Sequence, residues 1–319
     1  MGLDLKKWCA AIGVLFWIVV SANAHSGERV FPITCLTDEM LAEIRLDDGL
    51  IEEWFDLIGE PGMTLLDFEE ERGDLPLDPS DLDFRIWLAW HNDPARFYVA
   101  FVASDDVYIN THDFSGDGFQ DLMFENDMMM LAIDGDHSGG AGFAGTPDDW
   151  LNHRGNAQHY EAIASTVSGP TLDDPRTRNT IEGFPWTVLP PYGDSGGGVA
   201  GEAPTISVIE LYVTPFDRWD SDFLENGVDN VVSDLAAGQT VGFAVAAVDQ
   251  DHSEPEIWVP RGIEPDNEFD SLTLDMLTSR ADSFLDGILL PADPAGGTAV
   301  GQATWGRIKA ALKIEGAAK

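Results

Sequence analysis

Basic residues and cysteine are scarce in this 319-residue chain. Only 17 Lys and Arg stand against 57 Asp and Glu, a formal net charge of −40 at pH 7. Binding a nucleic-acid backbone depends on cations that release its counterions, so such a chain is no partner for nucleic acid or an anionic membrane. Cysteine occurs only as Cys9 and Cys35, and no CxxC, HxxxH or HExxH spacing is present, which removes the common zinc arrangements. Long apolar runs are missing too. The one candidate, Trp8 to Val20, has 13 residues, too few to cross a bilayer of about 30 Å as a helix.

That run follows Lys6 and Lys7 and ends in Ser21-Ala22-Asn23-Ala24. A short positive start, an apolar centre and an A-x-A ending predict a cleavable signal peptide over residues 1–24, hence a secreted or cell-surface protein; an uncleaved anchor is the rival reading. Cleavage after Ala24 removes Cys9 and leaves Cys35 alone. No internal disulfide can then form, and stability must come from the core and from any bound metal. Cys35, between Thr34 and Leu36, reads as an inert buried thiol rather than a nucleophile.

What the chain does have is 44% hydrophobic and 10% aromatic residues, enough for a packed core. Short β-branched and aromatic runs punctuated by Gly, Pro, Asn and Asp predict strands at Phe84–Trp90, Phe97–Ala103, Met128–Ile133, Ile206–Val213 and Val241–Val248. Helical periodicity is sparse: Asp38–Ile44, Trp150–Asn156, Asp270–Leu285 and Thr304–Leu312. The expected fold is an all-β antiparallel sandwich of immunoglobulin or jelly-roll type, with long loops and a short C-terminal helix. The longest connection, Gly135–Thr205, contains the turn-rich pieces Leu172–Arg178 and Pro190–Gly201. We divide the chain into a signal peptide (1–24), one domain (25–290), a Pro- and Gly-rich linker (291–303) and a tail (304–319). In the tail, Trp305, Ile308, Ala311 and Leu312 form an apolar stripe flanked by Arg307, Lys309 and Lys313. It reads either as a short helix beside the sandwich or as an attachment signal.

The carboxylates are patterned. In Asp113-Phe-Ser115-Gly-Asp117-Gly-Phe119-Gln-Asp121, oxygen-bearing groups stand at positions 1, 3, 5 and 9. Gly118 holds position 6, and the backbone carbonyl of Phe119 holds position 7. This is most of an EF-hand-type calcium loop, but position 12 is Phe124, so a carboxylate from elsewhere must close it. A solvated acidic turn is the alternative. Two acidic pairs also end predicted strands: Asp134 with Asp136, and Asp249 with Asp251, each followed by His-Ser. The first is taken as a second calcium candidate and the second more as turn-making by Asx hydrogen bonds. The mostly hard oxygen donors favour Ca2+ over zinc.

Catalysis finds little support. With 57 acids, a glycosidase-like carboxylate pair arises by chance, and no G-x-S-x-G is present. Gly193-Asp-Ser195-Gly-Gly matches a trypsin-like nucleophile motif only locally, in what reads as a glycine-rich loop. Indoles offer more, because they stack on the apolar faces of sugar rings. Trp87 and Trp90 fall within strand patterns and read as core or edge. Trp150, Trp186, Trp219 and Trp258 sit in loop-like surroundings and are the carbohydrate-binding candidates, with core filling as the alternative.

In order along the chain stand Asp47-Asp-Gly49-Leu-Ile-Glu-Glu-Trp54, then Trp87-Leu-Ala-Trp90 through Arg96-Phe-Tyr-Val-Ala-Phe-Val-Ala-Ser-Asp-Asp106, then Asn126-Asp127-Met-Met-Met-Leu-Ala-Ile-Asp134-Gly-Asp136. This series resembles the family 9 carbohydrate-binding modules. In that family a D-G-x-x-x-E-W element precedes a strand ending in D-D, and that precedes a strand reading D-x-x-E-x-x-x-D. Ile209–Asp217 and Gly242–Asp251 resemble its later strands, so the likeness runs from Asp47 to Asp251; Met130 stands where the pattern has Glu. The resemblance implies a β-sandwich, structural calcium, and polysaccharide or oligosaccharide binding without catalysis. A scaffold or adhesion protein of the cell envelope is the rival class. A haem-binding sandwich using Met128 or Met130, or a subunit associated with a glycoside hydrolase, is a more distant alternative.

Overall fold

The structure, a computed structural model, describes residues 30–46, 48–70, 78–110, 126–139, 157–164, 177–179, 190–218, 230–250, 267–270, 281 and 284–292. Its strands are β1 (Val30–Cys35), β2 (Met63–Thr64), β3 (Glu69–Glu70), β4 (Leu82–Asn92), β5 (Ala95–Asp105), β6 (Met128–Asp134), β7 (Gln158–Ala162) and β8 (Thr177–Asn179). They continue with β9 (Gly193–Ala200), β10 (Thr205–Val213), β11 (Phe216–Arg218), β12 (Val231–Val232), β13 (Thr240–Asp249), β14 (Asn267–Asp270) and β15 (Leu285–Leu289).

Two sheets share one strand. The first runs β8-β7-β6-β13-β15-β1 and the second β1-β4-β5-β10-β9. Val30–Ile33 of β1 pair with β15, and Thr34–Cys35 pair with β4. The expected antiparallel sandwich needs one correction: both pairings of β1 are parallel, because this strand enters at the seam and turns from one sheet into the other. The other pairings among the described residues are antiparallel.

Strand parity sets the layers. On the second sheet Phe84, Ile86, Leu88 and Trp90 of β4 stand opposite Ala103, Phe101, Val99 and Phe97 of β5, and all eight belong to the main core. The alternate residues Trp87, Ala89, Tyr98, Ala100 and Val102 face outward, where the helix Glu52–Ile58 covers them with Trp54 and Phe55. Ile51, Trp54, Phe55 and Ile58 follow i, i+3, i+4, i+7 spacing, the stripe a helix needs to lie on a sheet. Gly59, with φ 95°, ends it.

All five strands expected from sequence are present, each extended by one to four residues. The helix expected at Asp38–Ile44 closes at Leu41, with the Thr37 hydroxyl accepting the Met40 N–H at 3.3 Å. The helix expected at Asp270–Leu285 is overturned at both ends, since Asp270 closes β14 and Leu285 opens β15. Pro190–Gly201, read as turn-rich, holds β9 instead. Its glycines are required by packing: a Cβ on Gly197 would stand 2.0 Å from the Val208 carbonyl oxygen, and Gly198 lies against Gly49. The helices expected at Trp150–Asn156 and Thr304–Leu312 lie outside the described residues, as do the signal peptide and the tail.

Candidate metal centre

Three strand ends deliver three carboxylates to one end of the sandwich. Asp105 closes β5, Asp127 immediately precedes β6, and Asp249 closes β13. β5 belongs to the second sheet, and β6 and β13 are neighbours in the first, so this cluster bridges the two layers. All three are buried, at 2%, 7% and 1% exposure, and one oxygen from each lies within 4.8 Å of the others. That spread is the diameter of a calcium coordination sphere, whose oxygens stand about 2.3–2.6 Å from the ion.

Backbone donors hold the carboxylates in place. Asp127 accepts the Gln250 N–H at 2.7 Å on Oδ1 and the Ile109 N–H on Oδ2. Asp105 Oδ1 accepts the Val107 N–H at 2.7 Å. Beside them a cavity of about 10 Å³, room for one water-sized body, is lined by Asp105, Asp127, Tyr108 and Ser207 among apolar residues. Burial, together with the Asp127 and Asp105 charges, pushes the Tyr108 phenol far up, so it stays a neutral donor, to the Ala164 carbonyl. Buried charges have to be offset by partners or a metal. A set of three carboxylates is hard and anionic, and it fits Ca2+ rather than zinc.

A second cluster sits on the outer face of the second sheet, where Asp48, Glu53 and Glu210 bring one oxygen each within 4.8 Å of the others. Glu210 is fully buried in β10, and its Oε1 accepts the Trp54 indole N–H at 2.6 Å. Gly49, at φ +68°, suits the arrangement: this left-handed backbone favours glycine, and a Cβ there would stand 3.2 Å from the Gly198 Cα, tighter than ordinary contact with β9. Burial pushes the Glu53 carboxyl up, with the Asp48 and Glu52 charges adding to it.

The residues singled out from sequence divide. Asp113, Ser115, Asp117, Phe119 and Asp121 lie outside the described residues, but the ends of their loop are at the buried cluster: the Asp127 N–H donates to the Ile109 carbonyl at 3.0 Å. Asp134 and Asp136 lie at the opposite end of β6, apart from it. Asp134 is buried and accepts the Gly139 N–H at 2.7 Å and the Ser138 N–H at 3.3 Å, while Asp136 accepts Ser138 N–H at 3.0 Å. Burial raises the Asp136 carboxyl, and the Asp134 carboxyl adds to it.

Trp150, Trp186, Trp219 and Trp258 are outside the described residues. Trp54, Trp87 and Trp90 are core, their indole N–H groups donating to Glu210, to the Gly59 carbonyl at 2.9 Å and to the Leu290 carbonyl at 3.0 Å. Sequence reasoning missed the grouping of Asp105, Asp127 and Asp249 and weighed Asp249 toward turn-making. The available signal was that each acid stands at a strand end within the motifs quoted above. Ser195 is half-buried in β9, an edge strand rather than a loop.

No protein-family profile matches this chain, and no curated protein does. Among solved structures, the chain is similar to a family 9 carbohydrate-binding module from Caldicellulosiruptor kristjanssonii in complex with glucose, at 8% identity and a TM-score of 0.49, covering 83% of this chain and 98% of that one. A family 9 module from the same organism in complex with cellotriose matches at 9% identity and a TM-score of 0.47, covering 86% and 100%.

Proposed function

We infer that the protein is a secreted, non-catalytic carbohydrate-binding module whose two sheets are tied together by calcium. The observation that carries this reading is where the acids of the resembling motifs meet. Asp48 and Glu53 of the D-G-x-x-x-E-W element join Glu210, and the first acid of the D-D strand end joins Asp127 and Asp249. Acids from separate stretches of the resembling series thus form both carboxylate clusters among the described residues.

Asp105, Asp127 and Asp249 would hold the ion, supplying hard anionic oxygens from both sheets. The segment carrying Asp113, Ser115, Asp117, Phe119 and Asp121 begins after Asn110 and ends before Asn126, and would supply further oxygen ligands. Asp134 and Asp136 form a separate candidate at the far end of β6. When bound, the cation offsets the buried charge and fixes the loops at that end. Trp150, Trp186, Trp219 and Trp258 supply the flat apolar surfaces for sugar rings, with carboxylates and amides taking the hydroxyl hydrogen bonds.

The test is a glycan array and affinity electrophoresis in calcium-containing buffer. Retention on a polysaccharide is expected, weakening roughly tenfold or more when the tryptophan that stacks on the sugar becomes Ala, a loss of about 1.4 kcal/mol. No retention on any glycan with calcium present overturns the reading, and sugar release from the bound glycan overturns its non-catalytic part.

A further inference from the structure

The seam strand presents an apolar stripe outward. In the parallel register of β1 and β15, Val30 stands beside Asp286 and Pro32 beside Ile288, and the chain leaves the sheet through Leu290. Val30 is 51% exposed, Ile288 38% and Leu290 37%, and Pro32 is exposed as well. The alternate residues Phe31, Ile33, Leu285 and Leu289 are core. The second sheet has its outer face covered by the helix Glu52–Ile58. Among the described residues no helix covers the β1–β15 face.

We propose that this stripe is the docking surface for the chain's own tail, residues 304–312, which lay Trp305, Ile308, Ala311 and Leu312 across Val30, Pro32, Ile288 and Leu290. Three observations select this occupant. The first is length. A nine-residue helix is about 14 Å long, and the strand from Asp286 to Leu290 advances about 13 Å. The second is reach: residues 293–303 follow directly from the stripe, and 11 residues of Pro- and Gly-rich chain span about 17–20 Å on average. The tail is therefore held at an effective concentration of order millimolar over the face. The third is charge. Four bases, Arg307, Lys309, Lys313 and Lys319, stand against Glu315 alone and make residues 304–319 net +3, so the remainder carries −43. A second copy brings the same negative body to the face, whereas the tail brings the opposite sign, and Asp286 borders the stripe.

Trypsin cleavage of the full chain at Arg307, Lys309 and Lys313 tests this, because docking protects those bonds. Ile288→Asp on the sheet and Ile308→Asp on the tail are each expected to speed cleavage about tenfold, equivalent to about 1.4 kcal/mol. The double variant is expected to be no faster than either single one, because both remove one contact. Ile308→Asp falls in the tail, beyond residues 25–290, and is expected to leave the melting of the domain cooperative, which keeps the test clear of unfolding. In a second measurement, Ile288→Cys with Ile308→Cys is expected to form an intramolecular disulfide on mild oxidation, and Ile288→Cys with Lys309→Cys far less of it. Cleavage as fast in the unmodified chain as in the variants overturns the proposal. So do additive effects in the double variant, equal disulfide yields for the two pairs, and a cross-link between two copies.

Discussion

Replacing Asp249 by Asn should have opposite effects on stability with and without calcium. Asp105, Asp127 and Asp249 each place an oxygen within 4.8 Å of the others. At an effective dielectric of about 20, two unit charges at that separation repel by about 3.5 kcal/mol. Asp249→Asn removes two of the three pairs, about 7 kcal/mol of repulsion in a fully charged, cation-free cluster. The backbone N–H groups that donate to Asp105 and Asp127 offset part of that, so the expected gain in chelator is about 2–3 kcal/mol. At about 2–4 °C per kcal/mol for a domain of this size, the variant should melt about 4–12 °C above the unmodified protein in EDTA. Calcium at 1,000 times its dissociation constant adds about 4.1 kcal/mol to a protein that binds it only when folded. The unmodified protein should therefore gain about 8–16 °C from calcium while the variant gains little, and because about 4.1 kcal/mol exceeds the variant's lead of about 2–3 kcal/mol, their order should reverse. Differential scanning calorimetry of both chains in EDTA and in calcium reads this directly. If calcium leaves the unmodified protein's melting temperature unchanged and the variant melts lower in both buffers, the three acids are a hydrogen-bonded structural cluster and the ion is excluded.

Other outcomes follow from single buried groups. Burial holds the His159 imidazole neutral, pulled down to about 3 from its ordinary 6.5. The unfolded chain binds that proton first, so the stability His159 contributes is full above about pH 6.5 and is lost as pH falls toward 3, at up to about 1.4 kcal/mol per pH unit. Urea midpoints from pH 7 to pH 4.5 should fall more steeply in the unmodified protein than in His159→Gln, and parallel slopes would refute the assignment. Trp54→Phe removes the indole N–H that donates to buried Glu210 at 2.6 Å and should cost about 2–3 kcal/mol in chemical denaturation. A loss within experimental error would mean that this bond contributes nothing. Gly197→Ala places a Cβ 2.0 Å from the Val208 carbonyl oxygen and should displace β9 from β10, seen as lost amide protection along Gly193–Ala200. Unaltered protection there would mean that the edge absorbs the methyl.

The strands were legible in the chain wherever β-branched and aromatic runs were long, as in β4, β5 and β13, because strands buried on both faces select apolar residues at most positions. β9 was not: Gly193–Ala200 has almost no apolar signal, and its strand state comes from pairing with β10 and from the close approach of Gly49. The helix Glu52–Ile58 was legible in principle from Ile51, Trp54, Phe55 and Ile58, but only contact with the second sheet shows which face it buries. The site followed the same division. Sequence marked Asp249 as a strand-end acid and carried Asp105 and Asp127 only within the resembling series, yet Asp105, Asp127 and Asp249 are separated by 22 and 122 positions.

By itself the sequence determined the acidity, the all-β character and the strand placement of Trp87 and Trp90, since composition and local patterning suffice for those. Which carboxylates meet was decided by tertiary structure alone. Their meeting depends on β5 lying in one sheet and β6 beside β13 in the other, a long-range packing relation that no local pattern encodes. The turn of β1 from one sheet into the other is likewise a tertiary outcome, because the same six residues satisfy two different neighbours only once both sheets are in place.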